Sequence, residues 1–138
     1  ATAAWSPLTT SNASRRGRKP LTDHFSSAEA VIEAYAVGTR TCDVALLKEI
    51  FDDNAVMVGW LGPDFLNGGP EPFFGAREAN DVGDDYTSET LHVTVAGKVA
   101  TAETRETNLL GLSFNNYFQL AQRPDGTWRL ISKLFRHD

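Results

Sequence analysis

Polar side chains set within otherwise apolar strand faces are where this sequence concentrates its chemistry. From Leu109 to Phe135 the chain reads as two strands joined at Pro124-Asp125-Gly126, because glycine supplies the positive φ that a tight turn demands. Alternation sets Phe114, Asn116, Phe118 and Leu120 on one face of the first strand. It sets Trp128, Leu130, Ser132 and Leu134 on the matching face of the second. Asn116 and Ser132 are the polar members of those faces, and a buried polar group needs a partner from protein, water or ligand. In the strand before them, Glu106 and Asn108 fall in line with Ala100 and Ala102, opposite Glu103 and Arg105. Two readings stay open for these charges. They form a solvated or dimer-facing ladder of cross-strand pairs, or Glu106 and Asn108 project inward as the polar end of an apolar pocket. Asp64, on the loop after the first strand, is a further carboxylate that either reaches such a pocket or is solvated. Tyr35, Trp60, Phe118 and Trp128 serve equally as core and as pocket wall.

Other chemistries are poorly supported. There is no Gly-rich phosphate loop and no helical His-Glu-x-x-His. Asp81, Asp84 and Asp85 miss the spacing of a calcium loop. Of the three histidines, His92 is expected to face outward, His24 lies in an N-terminal arm, and His137 is placed to fold over a pocket mouth or to stay at the surface. The single cysteine, Cys42, excludes an internal disulfide framework and a cysteine-based zinc site. With no cation in sequence beside it, it reads as a packed thiol.

The elements that position these residues follow from periodicity. Ser26 and Glu29 have capping-box spacing ahead of a helix carrying Val31, Ile32, Tyr35 and Ala36 on one stripe. Asp43 caps a short second helix with Leu46, Leu47, Ile50 and Phe51, broken at Asp52-Asp53-Asn54. A strand spans Ala55 to Leu61, and a loop leads to a third helix running from Pro70 to about Ala79 with Phe73 and Phe74 as anchors. Ser88 to Ala96 alternates Leu91, Val93 and Val95 against Thr90, His92 and Thr94, and Gly97-Lys98 turns it into the next strand. Helices first and consecutive strands after predict an α+β fold, an antiparallel sheet with helices on one face.

At 138 residues, 41% hydrophobic and 22% charged, the sequence is that of one ordinary globular domain. Residues 1–20 hold Arg15, Arg16, Arg18 and Lys19 and no acid. The net charge of −5 therefore leaves −9 on the remainder, an unsuitable surface for nucleic acid. Residues 1–23 read as a flexible basic arm and 24–138 as the folded domain. No apolar run reaches membrane-spanning length, and a cytoplasmic location is expected.

The run Tyr35 … Cys42-Asp43 … Leu46-Leu47 … Phe51-Asp52-Asp53-Asn54-Ala55-Val56 resembles the first third of the NTF2-like superfamily, which includes the SnoaL and ketosteroid-isomerase proteins and has a cystatin-like fold. Val58-Gly59-Trp60, Gly69-Pro70-Glu71-Pro72-Phe73-Phe74, Asn108 to Phe114 and Trp128 to Phe135 are similar to the branch named for lumazine binding. The resemblance implies a cone, a curved sheet wrapped around three helices with an open wide end. It also places Tyr35 on the tyrosine of ketosteroid isomerases. Their base aspartate falls on Gly59 and their sheet aspartate near Leu120. Glycine abstracts no proton and leucine donates none to an oxyanion, so that mechanism is rejected.

The expectation is a protein that binds a small hydrophobic or planar metabolite in an apolar cone, without metal or organic cofactor. Trp60, Asn108, Asn116, Phe118, Trp128 and Ser132 would line the ligand site. The alternative is an isomerase, dehydratase or cyclase with Tyr35, Glu106 and Asp64 as its catalytic groups. A non-catalytic protein-interaction module is the third reading. A homodimer through the outer sheet face accompanies the first.

Overall fold

The computed structural model describes residues 21–138; the readings of the basic arm and of any docking by Trp5 and Leu8 lie outside the described residues. A 3-10 turn at Leu21–Phe25 buries His24 and Phe25. Helix α1, Ala28–Thr41, follows. Its cap is Ser27, whose hydroxyl accepts from the Ala30 amide at 3.0 Å, one residue later than the capping-box spacing placed it. Ser26 instead donates to the Asp23 carbonyl. The stripe of Val31, Ile32 and Tyr35 is fully buried, as its spacing requires. Helix α2, Val44–Ile50, is capped by Asp43, which accepts from the Leu46 amide.

Strand β1 spans Phe51–Leu61. It starts four residues before the expected Ala55, so Asp52-Asp53-Asn54 lies within the strand and does not precede it. Where a loop was expected, Asp64–Gly68 forms a further strand, β2, paired antiparallel with β1. Helix α3, Glu71–Ala79, opens after Pro70 and buries Phe73 and Phe74. The strands β3 (Thr87–Ala96), β4 (Val99–Leu109), β5 (Leu112–Gln122) and β6 (Trp128–His137) complete one six-stranded sheet in the order β2-β1-β6-β5-β4-β3.

The fold is α+β, as expected, but the sheet is mixed and open: β1 pairs parallel with β6, and all other pairings are antiparallel. The β5–β6 hairpin turns where its Asp-Gly signal sits, with Gly126 at φ 90°. The Asp125 carboxylate accepts from both the amide and the hydroxyl of Thr127.

One irregularity decides which side chains reach the interior. Gln119 pairs with Ser132 but Leu120 pairs with Leu130, so Ile131 is an extra residue, a β-bulge. Before the bulge Leu130 faces inward; after it, Lys133 and Phe135 do. A one-residue slip exchanges the faces. Simple alternation had put Ser132 and Leu134 inside, and the structure corrects this. Leu134 is 51% exposed, and the Ser132 hydroxyl donates to Gln119 on the outer side. A second bulge at Leu91 exposes that residue on β3.

The parallel pairing of β1 with β6 explains Gly59, which sits opposite Phe135. A Cβ at Gly59 would run into the Phe135 carbonyl and stand 2.7 Å from its ring, so no side chain fits there without movement of backbone.

Candidate functional site

The buried centre of the molecule is polar. Glu106 on β4 is 0% exposed and receives three donors. The Tyr35 hydroxyl from α1 donates to Oε1 at 3.0 Å, the Tyr86 hydroxyl to Oε2 at 2.6 Å, and Asn116 Nδ2 from β5 to Oε1 at 2.6 Å. Asn116 Nδ2 also lies 3.2 Å from the Thr104 hydroxyl. A carboxylate is acceptor-only, and donors from three directions are the partners that let it stay buried. Burial first, then the charge of Glu106, pushes the Tyr35 phenol well above its ordinary range, and the same causes raise Tyr86. Both phenols therefore keep their protons.

Lys133 on β6 closes the network. Its amine donates to the Tyr35 oxygen at 2.8 Å, and Lys133 is 5% exposed. It lies 3.9 Å from the Phe73 ring centroid and 5.1 Å from that of Tyr35, the placement of a cation on aromatic faces. No carboxylate stands within ion-pair distance of it among the described residues. Burial pulls its pKa down to about 8, and Glu106, acting across Tyr35, holds it from falling further.

Beside this network lies a cavity of about 270 Å³ between α3 and the ends of β1, β2, β5 and β6, bounded by the β4–β5 turn. Its wall is apolar: Met57, Leu66, Phe73, Leu112, Phe114 and Phe135 among others. Lys133 is the one member of the polar network that lines it. Arg77 of α3 lines it too, but its Nη2 donates to the Thr39 carbonyl and lies 3.1 Å from Cys42 Sγ, at the C-terminal end of α1. A cation suits the orphan carbonyls of a helix end. Cys42, expected to lack a neighbouring cation, therefore has one.

The residues picked from sequence are dispersed. Tyr35, Glu106 and Asn116 meet in the buried network, behind the cavity wall. Glu106 is buried and not part of a solvated ladder, but it does not line the cavity, so it does not form the polar end of a pocket with Asn108. Phe118 packs edge-on to Tyr35 at 4.9 Å and Trp128 belongs to the core. Trp60 is 56% exposed and packs against Phe65. Asp64 is exposed at the start of β2. Asn108 does not share the inward line of Ala100, Ala102 and Glu106. It sits where the β4–β5 register shifts, at φ 61°, and donates to the Asp85 carbonyl. His92 is on the outside, near Glu103, as expected. His137 folds back onto the rim, where Nε2 accepts from the Gly62 amide at 2.9 Å, next to the cavity residue Leu61.

Lys133, Arg77 and Tyr86 were missed. The only sequence signal for Lys133 was its company, a lysine between Leu130 and Phe135 in an apolar strand, and the bulge hid its direction.

A curved mixed sheet over three helices, with a polar centre and an apolar hollow at one end, defines the NTF2-like, cystatin-like class of α+β proteins. Residues 23–136 match the model of the family described as "Putative lumazine-binding", and the chain belongs to that family. Among solved structures it is similar to an NTF2-like protein of unknown function from Silicibacter pomeroyi. Identity is 23% over 87% of this chain and 100% of that one, with a TM-score of 0.72. An NTF2-like protein of unknown function from Shewanella baltica shares 18% identity over 78% and 88% of the two chains, TM-score 0.71. A ketosteroid isomerase-like protein from Erwinia carotovora atroseptica shares 18% over 83% and 96%, TM-score 0.62. At these identities the likeness is one of fold. None of the curated proteins matches the chain. Among the described residues no helix is long and apolar enough to cross a membrane.

Proposed function

We propose that this protein binds a small, largely apolar molecule in the cavity beside α3, with Lys133 as the polar group that meets it. The observation that carries this reading is the cavity itself: about 270 Å³, apolar walls, and one buried amine on its surface. A hollow of about 150 Å³ accepts benzene, so the space suits one or two fused rings. Ligand sites of this kind pair apolar walls with a few placed polar groups. The family's name and the fold's ketosteroid isomerase-like members support a ring-shaped ligand.

The test is a fluorescence titration with 2-naphthol, an apolar two-ring probe, run beside lumazine. One saturable site is expected for 2-naphthol in the native protein. Ala76→Trp, which fills the hollow from α3, should abolish it. Equal binding by both proteins would overturn the reading.

A homodimer through the outer sheet face belongs to the same proposal. Leu134 and Tyr117 are cross-strand partners there, both exposed, with Val58 beside Leu134 on β1. That is an apolar strip on a sheet face, suited to a two-fold contact in which each copy offers the same patch.

A further inference from the structure

We propose that Lys133 is a nucleophile, and that the cavity captures apolar aldehydes or ketones as a Schiff base on its amine. This rests on the cavity being a binding site and adds the class of ligand and the bond formed.

An ammonium out of water needs a carboxylate or several acceptors to offset its desolvation. Among the described residues Lys133 has neither: its one hydrogen bond there goes to the Tyr35 oxygen, and the rings of Phe73, Tyr35 and Phe135 lie around it. The carboxylate that would have paired with it, Glu106, is held away by Tyr35, Tyr86 and Asn116. An amine in such a place favours its neutral form, the form that attacks carbonyl carbon. With a pKa of about 8, about a tenth of it is free base at pH 7, roughly two hundred times the fraction for an exposed lysine.

Hydrogen bonding leaves the lone pair available. Tyr35 gives its proton to Glu106, so it meets Lys133 only as an acceptor. The neutral amine then donates one N–H to Tyr35 and keeps its lone pair unclaimed, on a residue that forms part of the cavity wall. The other charged or titratable groups around it are Tyr86 and Glu106 behind Tyr35, and Arg77 on α3 across the same hollow.

The step balances without a co-reactant. The Nζ lone pair forms a bond to the carbonyl carbon, and the carbonyl π pair passes to oxygen. A proton moves from nitrogen to that oxygen to give the carbinolamine. Loss of the hydroxyl with the second amine proton, as water, gives the imine. Apolar walls that exclude water favour the imine over its hydrolysis.

The experiment treats the full chain with 2-naphthaldehyde and sodium cyanoborohydride at pH 7, followed by intact mass measurement and peptide mapping. Lys48 and Lys98, both exposed, are internal controls. The expected result is an adduct on Lys133 at least about ten-fold richer than on either control, as the free-amine fractions imply. K133R should lose that adduct, and Ala76→Trp, which keeps the lysine but fills the hollow, should bring the Lys133 adduct down to the level of the two controls. An adduct on Lys133 no richer than on Lys48 and Lys98, with 2-naphthol still bound, overturns the capture and leaves the cavity reading standing. Failure of 2-naphthol to bind overturns both.

Discussion

Glu106 and Lys133 are joined by one phenol oxygen, and the strength of that link can be measured. Glu106→Gln keeps the shape of the side chain but removes its charge. The three bonds from Tyr35, Tyr86 and Asn116 then converge on an amide with one acceptor, and at least one donor must find another partner. Exchanging charge-assisted for neutral hydrogen bonds costs about 1–2 kcal/mol here. The second cost is electrostatic. Hydrogen bonds of 2.8 and 3.0 Å set the amine and the carboxylate on either side of the Tyr35 oxygen. Unit charges at that remove attract by about 3 kcal/mol at an effective dielectric constant of about 20. At pH 7, Glu106→Gln should therefore lose about 4 kcal/mol of stability, a large share of the total for a domain of this size. Lys133→Met removes a poorly compensated ammonium and should change stability by less than about 1 kcal/mol. The double variant should recover about 2–3 kcal/mol relative to the sum of the two, because the stranded charge is gone. Urea unfolding followed by tryptophan fluorescence, with Trp128 in the core as reporter, measures all four corners. Additivity within about 0.5 kcal/mol would refute the reasoning, since residues that do not interact add in that way.

Three further outcomes are expected. Lys133 binds its proton more weakly in the folded than in the unfolded chain, whereas Tyr35 and Tyr86 hold theirs more tightly. Stability should thus rise by about 2 kcal/mol between pH 8 and 10, where only the unfolded lysine stays protonated, and fall again above pH 10 as the unfolded tyrosines ionise; a profile that declines steadily from pH 8 would contradict this. Gly59→Ala drives a methyl into the Phe135 backbone and should cost about 2 kcal/mol or more, read as a lowered urea midpoint. Leu134→Glu places a charge on the exposed strip and should convert a dimer to a monomer by light scattering; a native protein that is itself monomeric at micromolar concentration would remove the dimer.

Local rules carried the sequence reading as far as local rules reach. The Asp125-Gly126 turn, the Tyr35 stripe and the in-line placement of Ala100, Ala102 and Glu106 all depend on residues within a few positions of each other, and the structure has them. What failed was long-range or singular. The parallel pairing of β1 with β6 joins residues some 75 positions apart, and no turn signal announces it. The bulge at Ile131 has no glycine or proline to mark it, yet it reverses Ser132, Lys133, Leu134 and Phe135. Asp64–Gly68 carries Asn and Gly, poor strand formers, and forms β2 only because the edge of β1 offers a partner. Tyr86 sits on a coil segment with no period from which to infer its burial.

The position of β6 bears on how the molecule assembles. Of the six described strands it comes last in sequence, yet it lies between β1 and β5 and, among the described residues, joins the β1–β2 pair to the β3–β5 meander. Without β6, β1 and β5 would each present an unpaired edge, the condition that invites association with other chains. Its pairing with both strands closes that gap, and the same strand sets Lys133 beside Tyr35. The strand that joins the two parts of the sheet is thus also the one that carries the interior amine.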